Sequence, residues 1–214
     1  MRVIDLFSGL GGFSQAFLDR GHDVTRYELA KEFEYVPCTI IKDVWELNAN
    51  DLIGADIVLA SPPCNHFSIA SVYIHWPKPL KEPTRETREQ IRLIQHTISI
   101  IKEADPKYWM LENPRGKLRS ILGTPGILQC WGSWGMNALK PTHLWGKFPP
   151  VEWRNCESAK YEHAERGSKK GVQGINKKSF KKNKFAYRPQ ERTHRGSMLL
   201  MLSLLAYCKR ICSF

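Results

Sequence analysis

The sequence predicts an α/β fold: a doubly wound, mostly parallel sheet with a small basic C-terminal segment. Three observations predict it. Short apolar or β-branched runs recur at residues 3–7, 23–28, 38–44, 55–60 and 108–111. Stretches with apolar residues at helical spacing lie between several of them. Each run stops at glycine, proline or a charged residue, the punctuation of βα units. In open sheets of this kind, ligands and chemistry collect beyond the carboxyl ends of the strands.

The first strand halts at Ser8-Gly9-Leu10-Gly11-Gly12, and Leu10, Phe13, Ala16 and Phe17 then follow at helical spacing over 13–18. Strand, glycine-rich turn and helix N-terminus in succession make a cradle for an anion or cofactor. Gly21 stops that helix. The second strand ends on Glu28, about 20 residues after the first, where dinucleotide-type sites hydrogen-bond a ribose. On spacing alone, a solvated charge at a helix start reads nearly as well. The third strand runs into a loop acid, Asp43.

The fourth strand breaks at Pro62-Pro63, because a double proline fixes φ twice and removes two N–H donors. The first residue presented after it is Cys64, a candidate nucleophile whose thiolate neighbouring charge or a helix N-terminus can tune. The competing reading is a small buried cysteine at a strand end. Residues 69–83 are aromatic and proline-bearing without a period (Tyr73, Trp76, Pro77, Pro79), which predicts a functional flap with no structure of its own. Thr84 or Thr87 caps a helix carrying Ile91, Ile94, Ile98 and Ile101, which ends before Pro106. The strand at 108–111 stops on Glu112-Asn113-Pro114-Arg115-Gly116. Three strand ends thus converge on one sheet edge, bearing the glycines of the first turn, Cys64 and Glu112.

With 214 residues and 42% hydrophobic content, the chain suits one domain, or one domain with an appendage. A formal net charge of +11 points to a polyanionic partner, nucleic acid ahead of a membrane surface. The cysteines, at 38, 64, 130, 156, 208 and 212, show no CxxC spacing. That argues against a disulfide scaffold or a zinc ribbon and fits a reducing cytosol. The N-terminus reads as a strand rather than a signal peptide, and no apolar run reaches the ~20 residues that span a bilayer. The expectation is a cytoplasmic monomer with neither metal nor membrane.

From 151 to 195 apolar periodicity disappears. Lysines cluster there, Lys177, Lys178, Lys181 and Lys182 among them, with Phe180, Phe185 and Tyr187 interleaved. The segment is a disordered basic linker or a phosphate-contacting stretch that orders on nucleic acid, and the two are compatible. Residues 196–214 contain an apolar stretch read as a closing helix that packs back on the catalytic domain.

These residues carry a resemblance. The run from Asp5 to Phe13 resembles the first motif of DNA cytosine-5 methyltransferases, Pro63-Cys64 with Phe67-Ser68 resembles their Pro-Cys motif, and Glu112-Asn113 their Glu-Asn motif. The three occur in the family's order. The tract from Gln129-Cys130-Trp131-Gly132 through Lys140-Pro141-Thr142-His143-Leu144-Trp145 is similar to a variant in short, phage-like members. The resemblance implies a Rossmann-like, S-adenosylmethionine-dependent methyltransferase domain over 1–150 and a short target-recognition segment over 151–195. Asp5, Phe7, Gly9, Gly11, Gly12 and Pro62 would line the S-adenosyl-L-methionine pocket, with Glu28 on the ribose and Asp43 on the adenine edge. Pro63 and Cys64 would present the nucleophile, Glu112 the acid, and Asn113 a brace for the cysteine loop. Ser68, Arg115, Lys140 and the four clustered lysines would contact double-stranded DNA around a flipped cytosine.

The implied setting is restriction–modification in a prokaryotic or phage-infected cytosol. Pro114 stands where the family usually has valine, the recognition segment is small, and residues 195–200 do not match the family's last motif. A catalytically impaired nucleic-acid-binding relative is therefore the alternative. RNA cytosine-5 methylation is another. Exocyclic-amino methylation is a third, since Ser61-Pro62-Pro63 resembles part of that motif, but Cys64 stands where an aromatic residue is needed.

Overall fold

The computed structural model describes residues 1–69, 71–77, 82–130 and 141–149. Seven strands form one sheet: β1 (Arg2–Leu6), β2 (Asp23–Glu28), β3 (Thr39–Ile41), β4 (Ile57–Ala60), β5 (Tyr108–Pro114), β6 (Ile127–Cys130) and β7 (Pro141–Lys147). Their order is β3-β2-β1-β4-β5-β7-β6. The chain steps from β1 outward to β3, then returns to β4 on the other side of β1, so the winding reverses between β1 and β4. That is where an open α/β sheet places its ligand crevice. The first five strands pair in parallel, and β7 runs against them, pairing antiparallel with β5 on one side and β6 on the other.

Both faces of the central strands are buried, as parallel strands require. On one face, α1 (Gln15–Leu18) buries Ala16 and Phe17 with Phe13 against Val3, Leu59, Met110 and Leu144. On the other, α2 (Ala49–Leu52) and α4 (Arg85–Ala104) cover Ile4, Val58 and Leu111 with Leu52, Ile94 and Ile101. The α4 N-cap is Thr84, whose hydroxyl accepts from the Thr87 amide. Asp105, at φ +43°, ends the helix in a left-handed turn before Pro106.

Four sequence expectations shift. The first helix is shorter than 13–18, because the glycine turn holds the chain as far as Ser14. The third strand contracts to three residues: Cys38 takes φ +64°, and Asp43 caps a 3₁₀ turn over Val44–Glu46 through a 3.0 Å bond from the Trp45 amide. The 69–83 stretch is not wholly irregular, since α3 (Val72–His75) lies in it. The fifth strand runs on through Glu112 and Asn113. Its parallel pairing ends at Leu111, but the antiparallel partner β7 continues the ladder to Pro114. Strand β6, strand β7 and helix α2 have no counterpart in the sequence reading. Lys140, the lysines at 177, 178, 181 and 182, and the units assigned to 151–195 and 196–214 lie outside the described residues.

Candidate active site

The first turn is held from below by a buried charge network. Asp5 and Arg26 are directly paired in the β1–β2 register, and both are fully buried. The Ser14 hydroxyl lies between them, donating to Asp5 at 2.7 Å and accepting from Arg26 Nε at 2.8 Å. The guanidinium donates further to the Gly11 carbonyl, the Gln15 side chain and the Pro37 carbonyl, at 3.2, 2.9 and 2.8 Å. Burial pushes the Asp5 carboxyl up to about 7, against the opposing pull of the Ser14 hydrogen bond and the Arg26 charge. Burial likewise lowers Arg26. Gly11, at φ +72°, has no room for a Cβ, which would overlap the guanidinium. Asp5, expected among the cofactor-pocket residues, thus supports the turn through Ser14 and is closed off from solvent.

Above the network the turn is open. Phe7 takes φ +59°, a conformation costly for an aromatic residue and one that re-aims the chain as it leaves β1. Nothing lies within 4 Å of where a Gly9 Cβ would stand. The Gly9 amide donates to Glu28 at 2.8 Å, and the other Glu28 oxygen accepts from the Ala30 amide at 3.0 Å. Glu28 is therefore fixed at the end of β2, half-buried, beside the free space over Gly9. The Ser8 hydroxyl, 8% exposed, has no hydrogen-bond partner. An orphaned hydroxyl, an oriented carboxylate and a side-chain-free turn fit the polar sugar and amino-acid ends of a nucleoside cofactor.

The next strand of the sheet delivers the thiol. The Ser61 amide still bonds to Leu6 of β1 at 3.1 Å; after that the two prolines end the pairing. Pro62 is buried, Pro63 exposed and Cys64 half-buried. The chain turns at once, with the Phe67 and Ser68 amides both donating to the Cys64 carbonyl at 3.0 and 2.9 Å. Phe67 is fully buried and anchors the turn. The Lys117 amide donates to the Phe67 carbonyl at 2.7 Å, and Ser68 bridges to Gly116. Close approach requires glycine at 116, where a Cβ would overlap the Phe67 carbonyl. On the far side, the Trp76 indole donates to the His66 carbonyl at 3.0 Å, and His66 Nδ1 pairs with the Thr87 hydroxyl at 3.0 Å. The 71–77 stretch of the flap is thereby pinned to the Cys64 turn, which His66 ties in turn to the start of α4.

Strand β5 brings the carboxylate alongside. Ala60 and Leu111 are in register, so the Cys64 turn and Glu112 leave adjacent strands at the same level. Glu112 is 6% exposed. Asn113, fully buried, donates to the Pro62 carbonyl at 3.1 Å and ties the two segments together. Ser68 and Arg115 border the same region, Arg115 exposed and Ser68 paired to the Ser71 hydroxyl at 2.8 Å. Asp43 stands farther out, at the end of β3. Among the described residues no group of three or more His, Cys, Asp or Glu side chains could hold a metal ion, and no helix is long and apolar enough to cross a membrane.

Sequence reasoning missed Arg26, Ser14 and His66. Arg26 had a visible signal: a charge in the middle of a strand otherwise destined for burial.

Residues 1–120 match the family C-5 cytosine-specific DNA methylase. The type II methyltransferase M.XorII of Xanthomonas oryzae is 30% identical over 129 residues, covering 53% of this chain and 28% of that protein. M.BsuFI of Bacillus subtilis is 27% identical over 134 residues, covering 58% and 29%. The chain therefore spans less than a third of the length of these two relatives. Among solved structures, the S. pombe Dnmt2 methyltransferase has a TM-score of 0.46, with 17% identity, covering 72% of this chain and 51% of that one. With its glycine turn, cysteine loop and Glu-Asn strand all inside the matched residues, this chain belongs to the C-5 cytosine-specific DNA methylase family.

Proposed function

We propose that the chain methylates C5 of cytosine in double-stranded DNA, using S-adenosyl-L-methionine and a covalent bond from Cys64 to C6. One observation carries the reading: Asn113 of β5 bonds to Pro62, which sets Glu112 and Cys64 on neighbouring strand ends beside the open glycine turn.

Cytosine C5 is too weak a nucleophile in the intact aromatic ring. The Cys64 thiolate adds to C6, breaking aromaticity and making C5 enamine-like, which splits one hard step into two easier ones. Glu112 hydrogen-bonds or protonates N3 and takes up the negative charge driven into the ring, work typically worth about 10²–10⁴ in rate. S-adenosyl-L-methionine, when bound, supplies the electrophilic methyl group. Phe7, Gly9, Gly11, Gly12 and Pro62 shape its pocket, Glu28 receives the ribose hydroxyls, and Asp43 lies toward the adenine. Asp5 acts through the turn. Loss of the C5 proton and departure of Cys64 then restore the aromatic base. A stacked duplex hides C6, so the cytosine is flipped out at a cost of a few kcal/mol. Ser68, Arg115, Lys140 and the lysines at 177, 178, 181 and 182 hold the backbone. The cellular setting is the cytosol, in restriction–modification.

The deciding experiment is incorporation of labelled methyl groups into duplex DNA by the wild type and Cys64→Ala, with product mapped at base resolution. Wild-type labelling at cytosine C5 that disappears in Cys64→Ala is the expected result. Undiminished labelling by the mutant would remove the nucleophile from the scheme.

A further inference from the structure

We propose that the cavity walled by Ile69, Val72, Arg115, Lys117, Arg119 and His143 is an anion seat that takes one backbone phosphodiester of the nucleic-acid substrate. The inference rests on the nucleic-acid reading above and extends the backbone contact given to Arg115 into a seat shared with Lys117, Arg119 and His143. The cavity has a volume of about 420 Å³, within the range of small-ligand sites, with room for a phosphate and the sugar that bears it. Three of its lining side chains are cationic, and none is a carboxylate.

The second observation is His143. It is 3% exposed, lines the cavity, and its Nδ1 has no hydrogen-bond partner. A buried polar atom left unpaired destabilises the fold, and a ligand that pairs it removes that penalty. Burial first, then the Arg119 and Arg115 charges, hold the imidazole below its ordinary pKa. Near neutral pH the ring is therefore uncharged, and an anion held by the neighbouring cations selects the tautomer with its proton on Nδ1.

The seat is not the base pocket. His143 pairs with Asn113 and Leu144 with Glu112, and successive residues of a strand face opposite ways. Leu144 packs in the cluster that contains Phe13 and Phe17, whereas Trp145, whose ring meets His143 edge-on at 5.5 Å, packs in the cluster with Ile94 and Ile101. His143 thus lies on the α4 face of the sheet, and Glu112 springs from the α1 face. The cationic wall is also continuous with the Cys64 turn through the Lys117–Phe67 bond and the Ser68–Gly116 bridge. Lys117 Nζ is held 4.9 Å over the Trp76 ring of the flap. An anion in the seat braces the loop that carries the nucleophile.

The test measures duplex binding by fluorescence anisotropy across a salt series for the wild type, Arg119→Gln and Lys117→Gln, with thermal unfolding as the folding control. Each variant is expected to weaken binding and to reduce the slope of log affinity against log salt by about 1. Unchanged slopes in folded variants overturn the proposal. In a second arm, inorganic phosphate is titrated while the His143 imidazole is followed by NMR. Its resonance should move in the wild type and stay still in Arg119→Gln. A silent His143 overturns the seat, and a phosphate response without any change in duplex binding makes it a free-phosphate site, overturning the nucleic-acid assignment. Methyl incorporation is scored on the same samples. Variant-sensitive slopes without incorporation would sink the methyltransferase reading alone; incorporation with insensitive slopes would sink the seat alone.

Discussion

The side-chain amide of Asn113 donates to the Pro62 carbonyl at 3.1 Å across 51 residues of chain. Strand β4 has ended by Pro62, so its carbonyl has no ladder partner to accept from, and the Asn113 amide supplies one inside the protein. The consequence is geometric: the residue after Glu112 fixes the residue two before Cys64. Asn113→Ala should cost about 1–3 kcal/mol of stability, since it leaves a buried acceptor unpaired. Its more telling effect should be on turnover, with kcat falling by a larger factor than cofactor affinity, to which Pro62 is one contributor among several. Steady-state kinetics beside calorimetric cofactor titration check both.

Gly11 and Arg26 compete for one volume. Gly11→Ala adds a Cβ where the guanidinium stands and does so at φ +72°, so clash and backbone strain add. The variant should lose cofactor affinity and melt earlier. Adding Arg26→Ala makes room, so the double mutant should be less impaired than the sum of the single effects. A double-mutant cycle on unfolding free energy measures that coupling. Strict additivity would mean that the two residues do not meet.

The sequence made the convergence of the glycine turn, Cys64 and Glu112 legible, because in a parallel sheet every strand carries its carboxyl end to the same edge. It could not show what holds them there. Arg26 is tolerated in the interior because Ser14, Gln15 and the Gly11 and Pro37 carbonyls accept its hydrogen bonds and Asp5 is its register partner one strand away, and register is a long-range property that no local window contains. Strand β7 was hidden for a related reason. It opens on Pro141 and carries Gly146 at φ +151°, poor local strand signals, and it exists through pairing with β5. Helix α2 is a single turn, too short for a period to show. Its Asn48 and Asp51 caps were the readable sign: the Asn50 amide donates to the Asn48 side chain, and the Asn48 amide to Asp51.

His66 and His75 hold the flap to the Cys64 turn with ring centroids 4.0 Å apart. Burial first, then the facing His75 charge, lowers the His66 pKa, and Glu86 pulls the other way. Below pH 6.5 the unfolded chain takes up a proton that folded His66 resists, so stability falls as the medium is acidified through that value and levels off below the folded pKa. His75→Gln should raise the His66 pKa toward 6.5 and flatten the acid-side loss. NMR titration of the His66 imidazole and denaturant midpoints between about pH 5 and 7.5 test the shift. A His66 pKa indifferent to His75 would dissolve the pair.

Asp5 gives the opposite slope over an overlapping range. Its carboxyl titrates near 7 in the folded protein, against 3.8 unfolded, because burial outweighs both the Ser14 bond and the Arg26 charge. Between those values the native state holds a proton that the unfolded chain has released. The stability this contributes is complete below pH 3.8 and is lost as pH rises through about 7, at up to about 1.4 kcal/mol per pH unit for one proton. Asparagine is nearly isosteric, keeps an acceptor for the Ser14 hydroxyl and cannot ionise. Asp5→Asn should therefore remove the decline: subtracting the mutant's unfolding free energy from the wild type's at each pH should leave a falling curve that flattens above about 7. Cofactor affinity offers an independent reading of the same group, because the ionised carboxylate draws on Ser14 and Arg26 more strongly than the neutral acid does. Wild-type affinity should then change across roughly pH 6–8 while that of the Asp5→Asn variant stays level, a contrast that a turn insensitive to its buried support would not produce.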